Sequence, residues 1–375
     1  MGTVVSTSIE WTATVHPDGR VTPGSTWNPV TGCSKVSPGC AHCYAERVAI
    51  RLWPSQYPHV DSNTRQPIPA GVWVHPSEPR RFTDVQCHED RLDQPLRWKK
   101  PRKVFVNSMS DLFHEDVPDA FIDRVFAVMA LAPQQTFQIL TKRAARMHRY
   151  ITRQGDDPVL SSREQVVNGA IWERLGTRRG SKIEHGGNWR CRWPLPNVWL
   201  GVSVENQHFA DERIPLLLQT PAAIRFISAE PLLEAIDLRR WLYPARCIST
   251  GRPMRPMPER DLFGLDWVIV GGESGPGARP CYVDWIRAIK AQCRAASVPL
   301  FVKQLGAEPR AQEGVDFRDG DLFAGRPTRE ILTVPAMPNG VFRFRDRKGG
   351  DMAEWPDDLR VREFPLAVNA GQRPS

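Results

Sequence analysis

The residues best suited to chemistry are three closely spaced cysteines, Cys33, Cys40 and Cys43, which follow the pattern Cys-x6-Cys-x2-Cys. Glycine and proline separate them, and a helix-like run from Ala45 to Leu52 comes directly afterwards. Thiolates suit soft metals, because each sulfur gives up its proton and shares its charge with zinc or with the iron of a cluster. The spacing therefore predicts a metal-binding loop.

The number of cysteines leaves the kind of metal open. A structural zinc site normally has four protein ligands, and His42 or a distant cysteine would then supply the fourth. A 4Fe-4S cluster on three thiolates instead leaves one iron open for a substrate or cofactor. Spacing alone favours neither metal, and three unrelated buried thiols are the least expected alternative.

The composition predicts a large globular protein that folds without disulfides. A chain of 375 residues can bury a sizeable core. The cysteines outside the trio are scattered singly: Cys87, Cys191, Cys247, Cys281 and Cys293. The sequence has no signal-peptide pattern and no run of membrane-spanning length, so we expect a reduced, cytoplasmic protein without a membrane partner. The net charge of +8 favours a nucleic acid or another polyanion as partner.

Strands and helices alternate along much of the chain. Apolar runs predict strands at residues 8–11, 104–108, 136–141, 198–204, 224–229, 267–270 and 300–305. A helical period predicts helices at residues 119–131, 211–218 and 284–295. Alternation of this kind predicts an α/β fold with a mainly parallel sheet, open or closed into a partial or near-complete (β/α) barrel.

Irregular stretches interrupt this alternation. They are rich in glycine, proline and arginine and lie near residues 53–100, 151–192 and 239–264. We interpret residues 1–306 as one barrel domain with these insertions. Residues 307–375 would form an irregular C-terminal extension packed on the barrel.

Polar and charged residues follow the predicted strands at their carboxyl ends. In parallel barrels and doubly wound sheets this edge binds ligands, so we expect one shared site there. Helix capping is an alternative role for Ser228 and Ser274. Buried charges need partners or ligands. The charged candidates are Lys142, Glu205, Glu230, Glu273 and Lys303.

A glycine-rich turn over residues 271–280 follows one of these strands. Its backbone N–H groups, those of Gly271 and Gly272 among them, can cradle a carboxylate or phosphate, and Arg279 can clamp the anion. The turn lacks the spacing of a dinucleotide fingerprint or a P-loop. It therefore predicts a ligand-facing loop without naming the ligand.

Several motifs together resemble the phage-associated three-cysteine-motif family, whose function is unknown. The motifs are Trp27–Cys33, Cys43–Glu46, Phe105–Phe113, Leu140–Arg143, Val198–Asn206, Gly271–Pro280 and Lys303–Gly306. The resemblance covers most of residues 8–306.

That family in turn resembles the radical S-adenosylmethionine enzymes, among them spore photoproduct lyase. In those enzymes three cysteines hold a 4Fe-4S cluster at the mouth of a partial (β/α) barrel, and the open iron binds S-adenosylmethionine. The resemblance implies that Cys33, Cys40 and Cys43 hold such a cluster, with an electron donor as partner. Two features depart from the superfamily pattern: the first gap is six residues rather than three, and His42 stands where an aromatic residue is usual.

In the superfamily a Gly-Gly-Glu after the second barrel strand commonly binds the methionine amine, whereas this chain has residues 107–111 there and its Gly-Gly-Glu only at 271–273. Strand order therefore assigns the amine of S-adenosylmethionine to Ser108 and Asp111. Five further residues would face the cofactor or substrate: Ser203, Gly271, Gly272, Glu273 and Arg279. Four charged residues would line a dry catalytic pocket: Glu205, Glu230, Lys142 and Lys303.

The leading hypothesis is a radical S-adenosylmethionine-type enzyme that repairs or modifies a nucleic acid or nucleotide. One alternative is a zinc-stabilised nucleic-acid-binding protein without catalysis. The other is a phage protein that binds a host partner and has a structural cluster.

Overall fold

A computed structural model of the chain describes residues 7–16, 18–52, 81–153, 167–171, 193–242, 264–311, 342 and 344–365. Its contacts divide the chain into two compact units. Unit 1 consists of Met1–Ser8 and Thr12–Asn197, and unit 2 of Ile9–Trp11 and Val198–Ser375.

Seven strands form one parallel sheet that curls as a half-barrel. In chain order they are β1 (Ser25–Trp27), β2 (Lys103–Val106), β3 (Thr136–Thr141), β4 (Val198–Ser203), β5 (Ile224–Ala229), β6 (Trp267–Gly271) and β7 (Leu300–Gln304). Each strand lies beside its neighbours in the chain, so the strand order never reverses. That order is typical of a (β/α) barrel, because a doubly wound sheet has a switch point. The predicted α/β fold class is confirmed.

Helices alternate with these strands. They are α1 (Tyr44–Leu52), α2 (Asp119–Ala130), α3 (Ala144–Thr152), α4 (Gln207–Leu218), α5 (Arg239–Leu242) and α6 (Val283–Ala296). Three small strand pairs lie outside the main sheet: Thr14–Val15 with Val21–Thr22, Val30–Thr31 with Gln86–Cys87, and Cys281–Tyr282 with Pro309–Arg310. Among the described helices, none has the length and apolarity needed to cross a membrane.

In unit 1, β2 and β3 bury one face more deeply than the other. Val104 and Val106 of β2 are fully buried, as are Phe137 and Ile139 of β3. Side chains alternate between the two faces of a strand, so the residues between these lie on the opposite face. On that face most positions are only half-buried.

In unit 2, the strands β4, β5 and β6 are buried at every position. Continuous apolar runs are expected of parallel strands that are covered on both faces. Aromatic rings gather around Trp267, with ring centroids at 6.3 Å for Trp11, 5.7 Å for Phe226 and 6.1 Å for Trp199. This aromatic cluster anchors the core of unit 2.

The C-terminal segment of unit 2 pairs with the edge strand β7. The Val302 N–H donates to the Val361 carbonyl, and the Glu363 N–H donates to the Leu300 carbonyl, both at 2.8 Å. The ring of Phe364 lies 5.3 Å from that of Phe301. The segment therefore covers the open edge of β7.

The start of the chain differs from the sequence prediction. The strand predicted at residues 8–11 is wrong, because Glu10–Thr12 form a 3-10 turn that places Trp11 among the rings of unit 2. Strand β1 was not predicted, since three residues are too few to show a period. Much of the three predicted insertions lies outside the described residues, and the division at residue 306 stays a prediction.

Candidate functional site

The cysteine loop begins at a position that requires glycine. Gly32 has a φ of +90°, and a Cβ there would lie 2.5 Å from the Asp84 carbonyl oxygen. The Gly32 N–H donates to the Met109 carbonyl at 3.2 Å, and the Cys33 N–H donates to the Phe82 carbonyl at 2.8 Å. These bonds fix the backbone on which the first cysteine lies.

The other two cysteines flank a tight turn. Cys40 ends a 3-10 turn over Pro38–Cys40, and its N–H donates to the Ser37 carbonyl at 2.9 Å. Cys43 directly precedes α1, which begins at Tyr44. The free N–H groups at the start of a helix stabilise a thiolate. Local structure therefore gives Cys43 one of the features of a metal-binding thiol.

The three thiols lie within electrostatic range of one another. Burial raises the pKa of Cys33 to about 12, with a further rise from the Asp111 carboxylate and an opposing effect of Arg143. Burial also raises the pKa of Cys43, against the backbone N–H groups that follow it. Negative charge on Cys43 raises the pKa of Cys33, and charge on Cys40 raises that of Cys43. A positive ion among them would reverse these shifts.

The donor set of the cysteine loop fits a soft metal. Across the described ranges of the chain, no three or more His, Cys, Asp or Glu side chains are grouped so that they could hold a metal ion. Thiolates are nevertheless the donors that zinc and iron prefer. Metal binding by Cys33, Cys40 and Cys43 stays a prediction.

Arg143, directly before α3, ties the cysteine loop to the sheet. Its side chain is 4% exposed, and each of its five N–H groups has an acceptor. Nε donates to Glu115 at 2.8 Å, and Nη1 donates to Asp111 at 3.3 Å and to Cys33 Sγ at 3.6 Å. Nη2 donates to the carbonyl and hydroxyl of Ser34, at 3.3 and 2.8 Å. The guanidinium thus holds Cys33 and Ser34 at the end of β3.

Asp111, in the loop after β2, joins that loop to the end of β3. Its oxygens accept the Thr141 hydroxyl at 2.7 and 2.9 Å, the Phe113 N–H at 3.0 Å and the Lys142 N–H at 3.1 Å, besides Arg143. Its predicted binding of a cofactor amine stays a prediction. The observed contacts give it a positioning role.

Ser34 and His114 resemble a nucleophile and its base but have the wrong protonation for that role. The Asp116 N–H donates to His114 Nδ1 at 3.1 Å, so the ring proton is on Nε2. Nε2 lies 2.7 Å from Ser34 Oγ and therefore donates to it. Burial and the charge of Arg143 lower the pKa of His114 and keep it neutral. His114 cannot accept the hydroxyl proton, so the pair positions the loop.

Two further predicted residues of unit 1 lie at the same strand ends. The Ser108 hydroxyl donates to Asn28 Oδ1 at 3.2 Å, and the Met109 N–H donates to the same oxygen at 3.0 Å. Lys142 is held through its backbone by Asp111. Unit 1 thus gathers four predicted site residues: Cys33, Ser108, Asp111 and Lys142.

In unit 2, the charge that follows β4 is fully paired. Glu205 is 0% exposed, and its carboxylate lies 3.1 Å from Nη1 of Arg213, whose side chain is 2% exposed. The same nitrogen donates to the Ser203 carbonyl at 2.8 Å, and the guanidinium lies 4.0 Å from the centre of the Phe209 ring. The predicted residues Ser203 and Glu205 therefore share one partner.

The charges that follow β5 and end β7 form a second pair. Glu230 Oε1 lies 3.1 Å from Lys303 Nζ, and the two side chains are 14% and 24% exposed. The Ser228 hydroxyl donates to the other oxygen of Glu230 at 3.1 Å. Gly271 lies between them, and a Cβ there would be 2.8 Å from Glu230 Oε1. Two predicted catalytic residues are thus in direct contact.

The glycine-rich turn contains a third pair. Arg279 donates to Glu273 from its backbone N–H at 2.9 Å, from Nε at 3.0 Å and from Nη2 at 2.7 Å. A Cβ on Gly272 would lie 2.3 Å from the Leu305 carbonyl oxygen, so this glycine allows the turn to lie against the end of β7. Arg279 clamps the carboxylate of Glu273 in the structure, and its predicted binding of a ligand anion stays a prediction.

Sequence reasoning missed the residues that act as partners. Ser34 and His114 had no recognisable motif. Arg213 stands beside Ile214 and Leu217 in α4, and a charged residue among apolar ones is the signal that indicates a buried ion pair.

Residues 6–335 match the model of a protein family, DUF5131, which is described as a protein of unknown function. No curated protein and no solved structure matches the chain.

Proposed function

The chain belongs to the DUF5131 family, and we propose that it is an iron–sulfur enzyme of the radical S-adenosylmethionine type that acts on a nucleic acid or nucleotide. One observation carries the proposal. The loop with the three cysteines follows β1 of the parallel sheet, and Arg143 holds its first cysteine at the carboxyl end of β3. The carboxyl edge is the one at which (β/α) barrels build their sites.

Cys33, Cys40 and Cys43 would hold the cluster, which supplies an electron to S-adenosylmethionine when bound. Arg143 supports this role in two ways. It donates to the Cys33 sulfur, and a hydrogen bond to a ligand sulfur is one of the contacts that set a cluster's reduction potential. It also carries a positive charge into a site that gathers thiolates.

Ser108 and Asp111 are the proposed residues around the cofactor amine. Because the Asp111 oxygens already accept several hydrogen bonds, Asp111 would act mainly by holding Arg143 and the end of β3 in place. Ser108, whose hydroxyl donates to Asn28 Oδ1, would offer an oxygen to the amine.

Glu230 and Lys303 are the proposed acid–base pair. The carboxylate and the ammonium group lie 3.1 Å apart and are both mostly buried, so they would offer a substrate group an acceptor and a donor side by side. Glu205 would instead stabilise the end of β4, since it is fully buried against Arg213. The substrate class is supported by the net charge of +8 and by the resemblance to spore photoproduct lyase.

Anaerobic purification and reconstitution test the proposal. The wild-type chain should be brown, bind about four irons, and form 5′-deoxyadenosine from S-adenosylmethionine on reduction. Serine variants of Cys33, Cys40 or Cys43 should lose the iron. The matched control is Cys87→Ser, which should keep it, because Cys87 lies outside the trio.

Three results would contradict the proposal. A colourless protein with about one zinc per chain would indicate a structural metal. Loss of iron in Cys87→Ser would indicate a fourth ligand and no open iron. A brown protein that forms no 5′-deoxyadenosine would give the cluster a structural role.

A further inference from the structure

Gln138, in the middle of β3, has a fully buried side chain. Its exposed fraction is 0%, and among the residues that the structure describes neither Oε1 nor Nε2 has a hydrogen-bond partner. Burying a carboxamide in this way is unfavourable, and an apolar side chain of the same size would avoid the cost. The position therefore needs an explanation other than stability.

The surroundings of Gln138 suggest what its partner would be. Gln138 pairs in register with Phe105 of β2, so the two side chains are neighbours on one face of the sheet. Phe105 on β2 and Leu140 on β3 are half-buried, whereas the opposite face of both strands is closed. The amide thus lies on the same face as a half-buried aromatic ring but is itself closed to solvent, so a base would reach it only when the side chains around it shift.

A second unpaired amide lies nearby. Asn107 directly follows β2, has a φ of 60° and is 3% exposed. Its Oδ1 accepts the Val30 N–H at 3.3 Å, while its Nδ2 has no hydrogen-bond partner within the described ranges. Asparagine adopts the left-handed region readily, so this backbone costs little. Asn107, directly after β2, and Gln138, on the paired strand β3, therefore both offer an unused donor, and Gln138 also offers an acceptor.

We propose that Gln138 and Phe105 form a nucleobase-binding subsite on β2 and β3. A carboxamide has a donor beside an acceptor, and it pairs with a planar edge that has the complementary arrangement, as glutamine does with adenine. Aromatic rings stack on bases in pockets that hold an extruded base. The subsite would recognise nucleobases as a class and would not select one of them, because each of the four bases has an edge with a donor next to an acceptor. It rests on the proposed nucleic-acid substrate.

Binding of four free nucleosides to the metal-free full-length chain tests the subsite. Adenosine, guanosine, cytidine and thymidine are titrated separately by calorimetry. At least one should bind, and Gln138→Met should weaken its binding by about tenfold or more. Phe105→Leu should weaken it to a similar extent by removing the stacking ring.

Thermal unfolding provides the matched control. Gln135→Met removes an amide that donates to the Trp98 and Lys100 carbonyls, both at 3.1 Å, so its melting temperature should fall. Gln138→Met should melt at or above the wild-type temperature, because it removes an unpaired amide. A fall equal to that of Gln135→Met would overturn the proposal, since the amide would then be satisfied within the protein.

Two other results would also overturn the subsite: no binding of any nucleoside to the wild-type chain, or equal binding to wild type and Gln138→Met. The serine variants of the three cysteines should bind nucleosides normally. Nucleoside binding by the serine variants separates the subsite from the cluster proposal, because binding of a base does not depend on whether the cysteines hold a cluster.

Discussion

The two units arrange charge differently at the carboxyl ends of their strands. In unit 1, Arg143 has five acceptors on four residues, and Asp111 joins the same network. In unit 2, the charges form three separate pairs: Glu205 with Arg213, Glu230 with Lys303, and Glu273 with Arg279. The network holds a loop against the sheet, whereas each pair makes one contact at a strand end or within a turn.

This difference indicates which substitutions should have distant effects. A loop far from a sheet in sequence needs several contacts to stay in place, because ordering it costs conformational entropy. A pair between residues at the ends of strands of the same sheet needs only one contact, because the sheet already holds both residues in place. Substitutions in the unit 1 network should therefore loosen the cysteine loop, whereas substitutions in a unit 2 pair should affect only the residues around that pair.

The largest effect is expected for Arg143→Met. The substitution leaves Asp111 buried without its counter-charge, which should lower the free energy of unfolding by about 3–5 kcal/mol in urea denaturation. Alkylation of Cys33 by iodoacetamide should become faster as the loop loosens. Arg239→Met in unit 2 is the control: its pair with Asp237 has side chains that are 47% and 31% exposed, so the expected loss is about 1 kcal/mol or less. Equal losses would show that the network gives no added stability.

Glu205→Gln in unit 2 is expected to cost about 3 kcal/mol, because it leaves the buried Arg213 without a counter-charge. Urea denaturation measures the loss, and Glu115→Gln is its control. The Glu115 side chain is 63% exposed, so that change should cost about 0.5 kcal/mol or less. If Glu205→Gln also speeds alkylation of Cys33, the damage is not local and the comparison fails.

Gly271→Ala should cost about 2 kcal/mol. The added Cβ would lie 2.8 Å from Glu230 Oε1 and 3.1 Å from the Gln304 carbonyl oxygen. NMR of labelled lysine should show a shifted Lys303 signal as the pair separates. Gly169→Ala is the control: it is helical, its Cβ meets no atom within 4 Å, and it should raise stability by about 0.5–1 kcal/mol. An unchanged Lys303 signal would show that the Cβ does not separate Glu230 from Lys303.

The smallest effect is expected for Lys103→Met in unit 1. Burial lowers the pKa of Lys103 to about 8, and its ammonium donates to the Ala13 carbonyl at 3.0 Å. Between pH 8 and 10.5 the unfolded chain binds more protons, so wild-type stability gains from rising pH. The variant should therefore be more stable by about 1 kcal/mol at pH 7, after the lost hydrogen bond is subtracted, and this advantage should shrink toward pH 10.5.

Urea denaturation of both proteins at pH 7 and 10 measures this difference, and effects of other groups cancel between them. Lys99→Met, at an exposed position, should show no such change with pH. A pH-independent advantage for Lys103→Met would mean that the lysine titrates normally.

Periodicity was sufficient for most of the sheet. Strand β3 has the predicted bounds, and β4 to β7 differ from theirs by at most one residue at the carboxyl end, since long apolar runs carry a clear signal. The start of the chain was less predictable. Trp11 takes its place through contacts with Phe226 and Trp267, which are more than 200 residues away, and no local pattern contains that information.

The candidate site was predictable only where local sequence marks its residues. Cys33, Asp111 and Lys142 were found because strand ends and spacing mark them. The partners of these residues were not found, because pairing depends on tertiary geometry: the donors of Arg143, for example, are all used within unit 1. The unpaired amide of Gln138 was equally hidden, since a glutamine within a strand has no sequence signature.

The pairing of residues 361–363 with β7 also determines where a shortened fragment of the protein can end. The family match ends at residue 335, before this segment begins. A fragment cut there would leave the N–H and C=O groups of β7 free to pair with another molecule, and exposed strand edges are a common cause of aggregation. The shortest C-terminal boundary that keeps these contacts is therefore residue 364, with Phe364 packed on Phe301 and Trp267.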